Sequence, residues 1–353
     1  MPHLFDPLTL RGTTFANRIW VSPMCQYSAH HGIVGDWHMA HLGAFATGGT
    51  GLIVAEATGV VPEGRISIGC PGLYNDEQVS AWKKITDFAH TQDVKIGIQL
   101  AHAGRKGGSA LPGSDHTIAT PEEGGWQTVA PSAIAFPGYP EPRALSTDEV
   151  KGLVKSFGDA ARNAVAAGFD LVEIHAAHGY LLHEFYSPLS NTRTDEYGGS
   201  YENRTRFLKE VTAEVRAAIP ADMPLFVRIS ASDWTDGGWT IEESVKLAPE
   251  LTALGVDLID VSSGGNVAKA NITVGPGYQV HFSDAIRNSG GAMTSTVGMI
   301  TEPEQAEELV ASGKADAVMM ARAFLRNPRW PLHAAAVLGQ EVKWPLPIAR
   351  GKL

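Results

Sequence analysis

Eight short runs of β-branched and apolar residues, spread along the whole chain, constrain its fold more than any other feature. They are RIWVSPM (18–24), LIVAEAT (52–58), KIGIQLAH (95–102), LVEIHAAH (171–178), LFVRIS (225–230), LIDVSS (258–263), MTSTVG (293–298) and AVMMAR (317–322). None alternates cleanly between apolar and polar residues. Such strands are buried on both faces, as in a parallel sheet covered by helices. Helical segments stand between them. Residues 76–92 put Val79, Trp82, Ile85 and Ala89 on one face. Residues 146–167 open on Ser146 and Glu149, a reciprocal capping pair, and stop at Gly168. Segments 203–219, 241–254 and 302–313 follow the same habit, the last two with acidic starts. Eight such units predict an α/β fold of the (β/α)8 (TIM) barrel type; a doubly wound sheet rarely needs so many.

The remaining totals narrow the class. A chain of 353 residues, 44% apolar and 19% charged, can bury one large core, and we expect a single domain over 1–353. A formal charge of −10 argues against nucleic acid or an anionic membrane as partner. No stretch approaches the roughly 18 consecutive apolar residues of a membrane helix, and the start lacks the apolar core of a secretory signal. Two cysteines, Cys25 and Cys70, with no CxxC, point to a reducing cytoplasm. One interval breaks the rhythm: residues 103–145, rich in Gly and Pro, leave the third strand without helical period. A compact domain seldom carries so long a connection without use for it, so we read it as a lid or rim.

Barrel active sites form at the C-terminal strand ends, and these ends collect chemistry. Ser22, Pro23, Met24 and Cys25 end the first strand, Ala57 and Thr58 the second, Gln99 and His102 the third. His175, His178 and Tyr180 end the fourth, Arg228 lies in the fifth, Ser262 and Ser263 end the sixth, and Gly298 and Arg322 follow the seventh and eighth. Gly298 with Arg322 suits a phosphate, or equally a turn glycine and a surface cation. A buried Arg228 needs an anion: a carboxylate such as Glu173 or Glu56, or a bound cofactor. His175 and His178 fit hydrogen bonding or packing. A zinc site with His102 as third ligand is the runner-up, because no carboxylate cluster stands beside HAAH. A zinc-dependent barrel hydrolase and a non-catalytic small-ligand binder are therefore the alternative functions.

NRIWVSPMCQYS (17–28), GIQLAHAGRK (97–106), EIHAAHGYLLHEFYSPLSNTRTDEYGGSYENRTRF (173–207), SSGG (262–265), GYQVHF (277–282) and VGMIT (297–301) resemble the Old Yellow Enzyme family. The likeness runs from about residue 3 to residue 350, and SPMC with the C-terminal ARG resembles its cysteine-containing, thermophilic-like branch. The resemblance implies an NADPH- or NADH-dependent ene-reductase with non-covalent FMN across the barrel mouth. Ser22, Pro23, Met24, Cys25, Ala57 and Gln99 would contact the isoalloxazine, Arg228 its N1/O2 edge, and Val297, Gly298, Ala321 and Arg322 the phosphate. His175 and His178 would hold the carbonyl or nitro oxygen of an activated alkene, hydride would pass from flavin N5 to the β-carbon, and Tyr180 would protonate the α-carbon. Tyr27 would be a substrate contact, and phenolic or anionic ligands would inhibit. In the tail, 340–353, Arg350 would enter a neighbouring subunit's site, which implies a homodimer or homotetramer. Relatives usually carry Gly-Arg where this chain has Ala321-Arg322, so a positive φ there would be costly.

Overall fold

The computed structural model describes residues 2–352; Met1 and Leu353, at the bounds of the expected domain, lie outside the described residues. All eight apolar runs become strands: β1 (Ile19–Val21), β2 (Leu52–Gly59), β3 (Lys95–Ala101), β4 (Leu171–Ala176), β5 (Leu225–Ser230), β6 (Leu258–Ser262), β7 (Thr294–Thr296) and β8 (Ala317–Met320). They pair in parallel and in chain order, and β8 pairs back to β1 to close a barrel. The expected fold is the observed one. β1 and β7 are only three residues long, because the residues after them leave the ladder to build the mouth. Even there Ser22 N–H still donates to Met320 O at 3.0 Å.

Crossover helices cover the outside: α1 (Asp36–Ala46), α2 (Asp76–Thr91), α3 (Thr147–Ala166), α4 (Arg206–Ala218), α5 (Ile241–Ala253), α6 (Val280–Asn288), α7 (Pro303–Ala311) and α8 (Trp330–Val337). Ser146 and Glu149 close the expected capping pair on α3, at 3.2 Å for Glu149 N–H to Ser146 Oγ and 2.7 Å for the return bond. Sequence periodicity singled out five of the eight. It passed over α1, α6 and α8 for a physical reason: WPLHAAAV and DWHMAHLGAFA lack a polar face to contrast with the buried one, and α6 opens with neither a side-chain cap nor an acidic first turn.

The N-terminal end of the barrel is closed by packing. A hairpin of Leu8–Leu10 against Thr13–Phe15 sends Leu8, Leu10 and Phe15 into a cluster with Trp20, Leu52, Val54, Leu171, Phe226, Leu258 and Met319. The Trp20 and Phe226 rings stack at 5.7 Å, with Phe15 5.1 Å from Trp20. Each such aromatic contributes about 1.5–3 kcal/mol by burial. This end is therefore spent on stability, which leaves the opposite mouth for chemistry. Residues 103–145 begin there with a turn at Gly104–Lys106 and later pair Val129–Ala130 with Arg143–Ala144. Among the described residues no helix is long and apolar enough to cross a membrane.

Candidate active site

A polar layer lies inside the barrel just below the mouth. Arg228 on β5 is the register partner of Asp260 on β6, and Arg228 Nε lies 2.9 Å from Asp260 Oδ2. The carboxylate proposed for Arg228 from sequence was Glu173 or Glu56; the structure corrects this to Asp260, on the adjacent strand. Ser295 Oγ donates to Asp260 Oδ1 at 2.8 Å. Glu173 instead accepts from Gln99 Nε2 at 2.7 Å. Burial, and then the neighbouring Asp260, push Glu173 up to about 8, toward its protonated form. Arg228 Nε touches Asp260 without a hydrogen bond in line, so the guanidinium is charge-balanced while its donors are unspent.

The two histidines of HAAH come together above this layer. Their rings are 5.1 Å apart, with His178 Nδ1 3.4 Å from His175 Nε2. Ala177 N–H donates to His175 Nδ1 at 3.2 Å, which leaves the proton of a neutral ring on Nε2. Burial, and then Arg228, hold both imidazoles well below their usual pKa, so both are neutral. His178 has a left-handed backbone (φ 60°), uncommon for a side chain with a Cβ. It is fixed there by Ser230 Oγ, which accepts from His178 N–H at 2.8 Å, and by Lys106 Nζ, which donates to His178 O at 2.7 Å. Lys106 also donates to Gly265 O at 2.9 Å, tying the β4 loop to the SSGG loop. Those loops touch so closely that a Cβ on Gly179 would stand 2.3 Å from Gly265 O.

His178 Nε2 meets Ser262 Oγ at 2.8 Å. Ser262 Oγ lies 3.5 Å from Gln279 Oε1, which accepts from Ser263 Oγ at 2.5 Å, and Gln279 Nε2 donates to Val297 O at 2.8 Å. This chain runs from the histidines to the β7 loop. Among the described residues the histidines gather no third His, Cys or carboxylate ligand, so the zinc alternative lacks its coordination set, and His102 is buried elsewhere with its Nδ1 accepting from Gly104 N–H. Lys106 and Gln279 were not singled out from the sequence. Both sit in motifs, GRK and GYQ, whose polar residues face the mouth.

Tyr180 begins the short helix Leu181–Tyr186, its ring 5.1 Å from His175 and 4.8 Å from Lys106 Nζ. Burial raises its phenol well above the usual range, so the proton stays on. Tyr180 and Cys25 pack against Ala57, Ile66, Cys70, Ala101 and Ala103. Ser22 is buried, Pro23, Met24 and Cys25 are half-buried, and Tyr27 is exposed on the same loop. A register shift between Ala55 and Thr58 marks a bulge in β2 at Glu56 and Ala57. A bulge re-aims side chains beside a site, and no sequence signal announced it.

At the other side of the mouth a cavity of ≈ 270 Å3 is lined by Arg228, Ser262, Val297, Gly298, Ala321 and Arg322 among others. These include every residue that the resemblance assigns to the phosphate, together with Arg228. Gly298 has φ 133°, and a Cβ there would come within 3.0 Å of the Tyr278 ring. Ala321 has φ −108°, so its Cβ costs nothing and the expected penalty at Ala321 is absent. The unspent donors of Arg228 and the space kept by Gly298 both fit an elongated anionic cofactor such as FMN. Arg350 is exposed in the turn Leu346–Gly351. The preceding Gln340–Pro347 segment lines a cavity with Thr50 and Asp93, at the N-terminal strand ends, so this chain's tail does not run toward its own mouth.

The sequence profile of the NADH:flavin oxidoreductase / NADH oxidase family matches residues 3–341. An NADPH dehydrogenase of Geobacillus thermodenitrificans (strain NG80-2) is 47% identical over 351 residues, covering 99% of this chain and 98% of that protein. Among solved structures, morphinone reductase in complex with tetrahydroNAD superposes with a TM-score of 0.79 at 29% identity, over 98% of this chain and 93% of that one. The old yellow enzyme homologue from Zymomonas mobilis gives 0.78 at 32% identity, over 97% and 94%. By these matches, and with Arg228, Gly298 and Arg322 lining one cavity, the chain belongs to the NADH:flavin oxidoreductase / NADH oxidase family, the Old Yellow Enzyme family its motifs resemble, and is an FMN-dependent oxidoreductase.

Proposed function

We propose that the protein is an ene-reductase: it reduces the C=C bond of α,β-unsaturated carbonyl or nitro compounds at the expense of NADPH or NADH. The observation that carries this reading is the pair of neutral imidazoles with nitrogens 3.4 Å apart beside a protonated tyrosine. FMN, when bound, supplies the two-electron reduction of the alkene. His175 and His178 hold the substrate oxygen by N–H donation, which draws electron density from the β-carbon and stabilises the charge that develops. Tyr180 delivers the proton to the α-carbon as a general acid. Arg228 balances negative charge on the cofactor ring, Ser22, Pro23, Met24, Cys25, Ala57 and Gln99 bed that ring, and Val297, Gly298, Ala321 and Arg322 hold its phosphate. Tyr27 walls the substrate, residues 103–145 form the rim of the site, and Arg350 reaches the mouth of a second copy in a homodimer or homotetramer. Phenols and small anions compete for the histidine pair.

The test is Tyr180→Phe followed through both half-reactions. Re-oxidation of the reduced enzyme by 2-cyclohexenone should slow by about 10²- to 10⁴-fold, the usual share of a general acid. Bleaching by NADPH should be nearly unchanged. An unaltered alkene step would remove Tyr180 from proton delivery.

A further inference from the structure

Cys25, Cys70 and Glu56 bring two thiols and a carboxylate together at the edge of the mouth. Their ligating atoms all lie within 4.8 Å of one another. Cys25 comes from the loop after β1, Glu56 from the bulge in β2 and Cys70 from the loop after β2. Cys70 and Glu56 are buried, and Cys25 is half-buried, so one side of the cluster opens toward the mouth. Among the described residues Glu56 has no Lys or Arg partner; its one basic neighbour is His38.

The surroundings hold these groups as a second shell holds metal ligands. Gly35 N–H donates to His38 Nδ1 at 3.2 Å, which puts the His38 proton on Nε2, 3.3 Å from Glu56 Oε1. Gln26 N–H donates to Glu56 Oε2 at 2.9 Å. Ser67 Oγ accepts from Gly69 N–H at 3.1 Å, so its own proton is free for Cys70 Sγ, 3.3 Å away. Glu56 and Cys70 are thus each held from behind, while Cys25 faces them from its own loop. Two thiolates with one carboxylate select a soft or borderline cation over Mg2+ or Ca2+, and three protein ligands leave a fourth position for water or solute.

We propose that Cys25, Cys70 and Glu56 form a binding site for Zn2+, Cd2+ or a similarly thiophilic divalent cation. Binding replaces the two S–H protons by two S–metal bonds and releases both protons; no electrons move. Under the flavin reading, on which this clause alone rests, the cation occupies the Cys25 thiol that beds the cofactor ring and so lowers turnover.

The experiment titrates CdCl2 into the reduced, chelator-free protein, with both thiols first counted as free. The readout is the ultraviolet thiolate-to-cadmium charge-transfer band. We expect saturation at one equivalent with an intensity for two thiolates, and competition by Zn2+. Cys70→Ser and Cys25→Ser should each lose the two-thiolate band, and His38→Gln, which keeps all three ligands, should bind about 10- to 100-fold more weakly. One equivalent of Cd2+ should suppress NADPH turnover in the wild type and spare it in Cys70→Ser. No band in the wild type, or an undiminished band in either cysteine variant, overturns the proposal. A normal band on protein that takes up no FMN would sink the flavin reading and leave the cation site standing, whereas normal NADPH turnover without Cd2+ uptake would do the reverse.

Discussion

Ser262→Ala tests how the histidine pair is set. Both imidazoles are neutral, so each has one N–H to give. Ala177 N–H fixes the His175 proton on Nε2. His178 has Ser262 Oγ 2.8 Å from its Nε2; with the hydroxyl donating there rather than to Gln279 Oε1, which is 3.5 Å away and already accepts from Ser263, the His178 proton sits on Nδ1, 3.4 Å from His175 Nε2. Two donors then face each other and await one acceptor oxygen. Without the hydroxyl, His178 can carry its proton on Nε2 and turn a lone pair toward that oxygen. One neutral hydrogen bond contributes about 0.5–1.5 kcal/mol, so phenol affinity should fall about 2- to 12-fold. The rate of alkene reduction should fall by at least as much, because more charge sits on the oxygen as the reaction proceeds. The dissociation constant comes from the phenol's perturbation of the flavin spectrum, and nitrogen NMR of His178 reads which ring nitrogen is protonated. An unchanged phenol affinity with an unchanged tautomer would refute the role of Ser262.

Gly298→Val places a β-branched side chain at φ 133°, against the Tyr278 ring; strain of about 1–3 kcal/mol should show as FMN lost on gel filtration, and full retention would count against the phosphate loop. Arg228→Met leaves Asp260 buried without its cation and should cost about 3–5 kcal/mol in urea unfolding. Adding Asp260→Asn should regain stability but not FMN affinity, and a double variant that keeps wild-type FMN affinity would show Arg228 to be structural only. Glu184, pushed up to about 8 by burial, keeps its proton in the folded chain where an unfolded carboxyl has lost it. Folded protein then holds the extra proton between about pH 4.3 and about 8, so stability falls as pH rises through that window, by at most about 1.4 kcal/mol per pH unit. Glu184→Gln should remove this residue's share of the slope and leave that of Glu173, and parallel stability profiles from about pH 5 to about 8 would contradict it.

The barrel could be read in advance because its strands are buried on both faces: LIVAEAT and LFVRIS have few other places to go. Strand ends gather the candidate residues by topology alone, which is why His175, His178, Tyr180, Arg228 and Arg322 could be brought to one mouth from positions far apart in the chain. What stayed illegible is pairing. Arg228 meets Asp260 because β5 and β6 share a register, and no spacing in the sequence encodes that choice over Glu173. Nor does any spacing in the sequence announce that Cys70, Glu56 and Cys25 stand together. Ala321 looked costly only while its φ was unknown.

The buried charges below the mouth add up to a neutral layer, and that balance is what the site needs. Burial raises Asp260 and the Arg228 guanidinium beside it opposes that shift, while burial, and then Asp260, push Glu173 toward its protonated form. One positive and one negative charge then lie side by side, and the third group is a hydrogen bonder to Gln99. A net positive layer would hold the histidines neutral by repulsion alone. A net negative layer would protonate them, and an imidazolium gives up the lone pair that now fixes His175 to Ala177 N–H. Neutrality leaves the direction of the dipole to do the selecting: the guanidinium lines the cofactor cavity, while its counterion is held from behind by Ser295. Charge developing at the mouth therefore meets a cation whose compensation is fixed in place, which is electrostatic preorganisation in the sense that matters for rate.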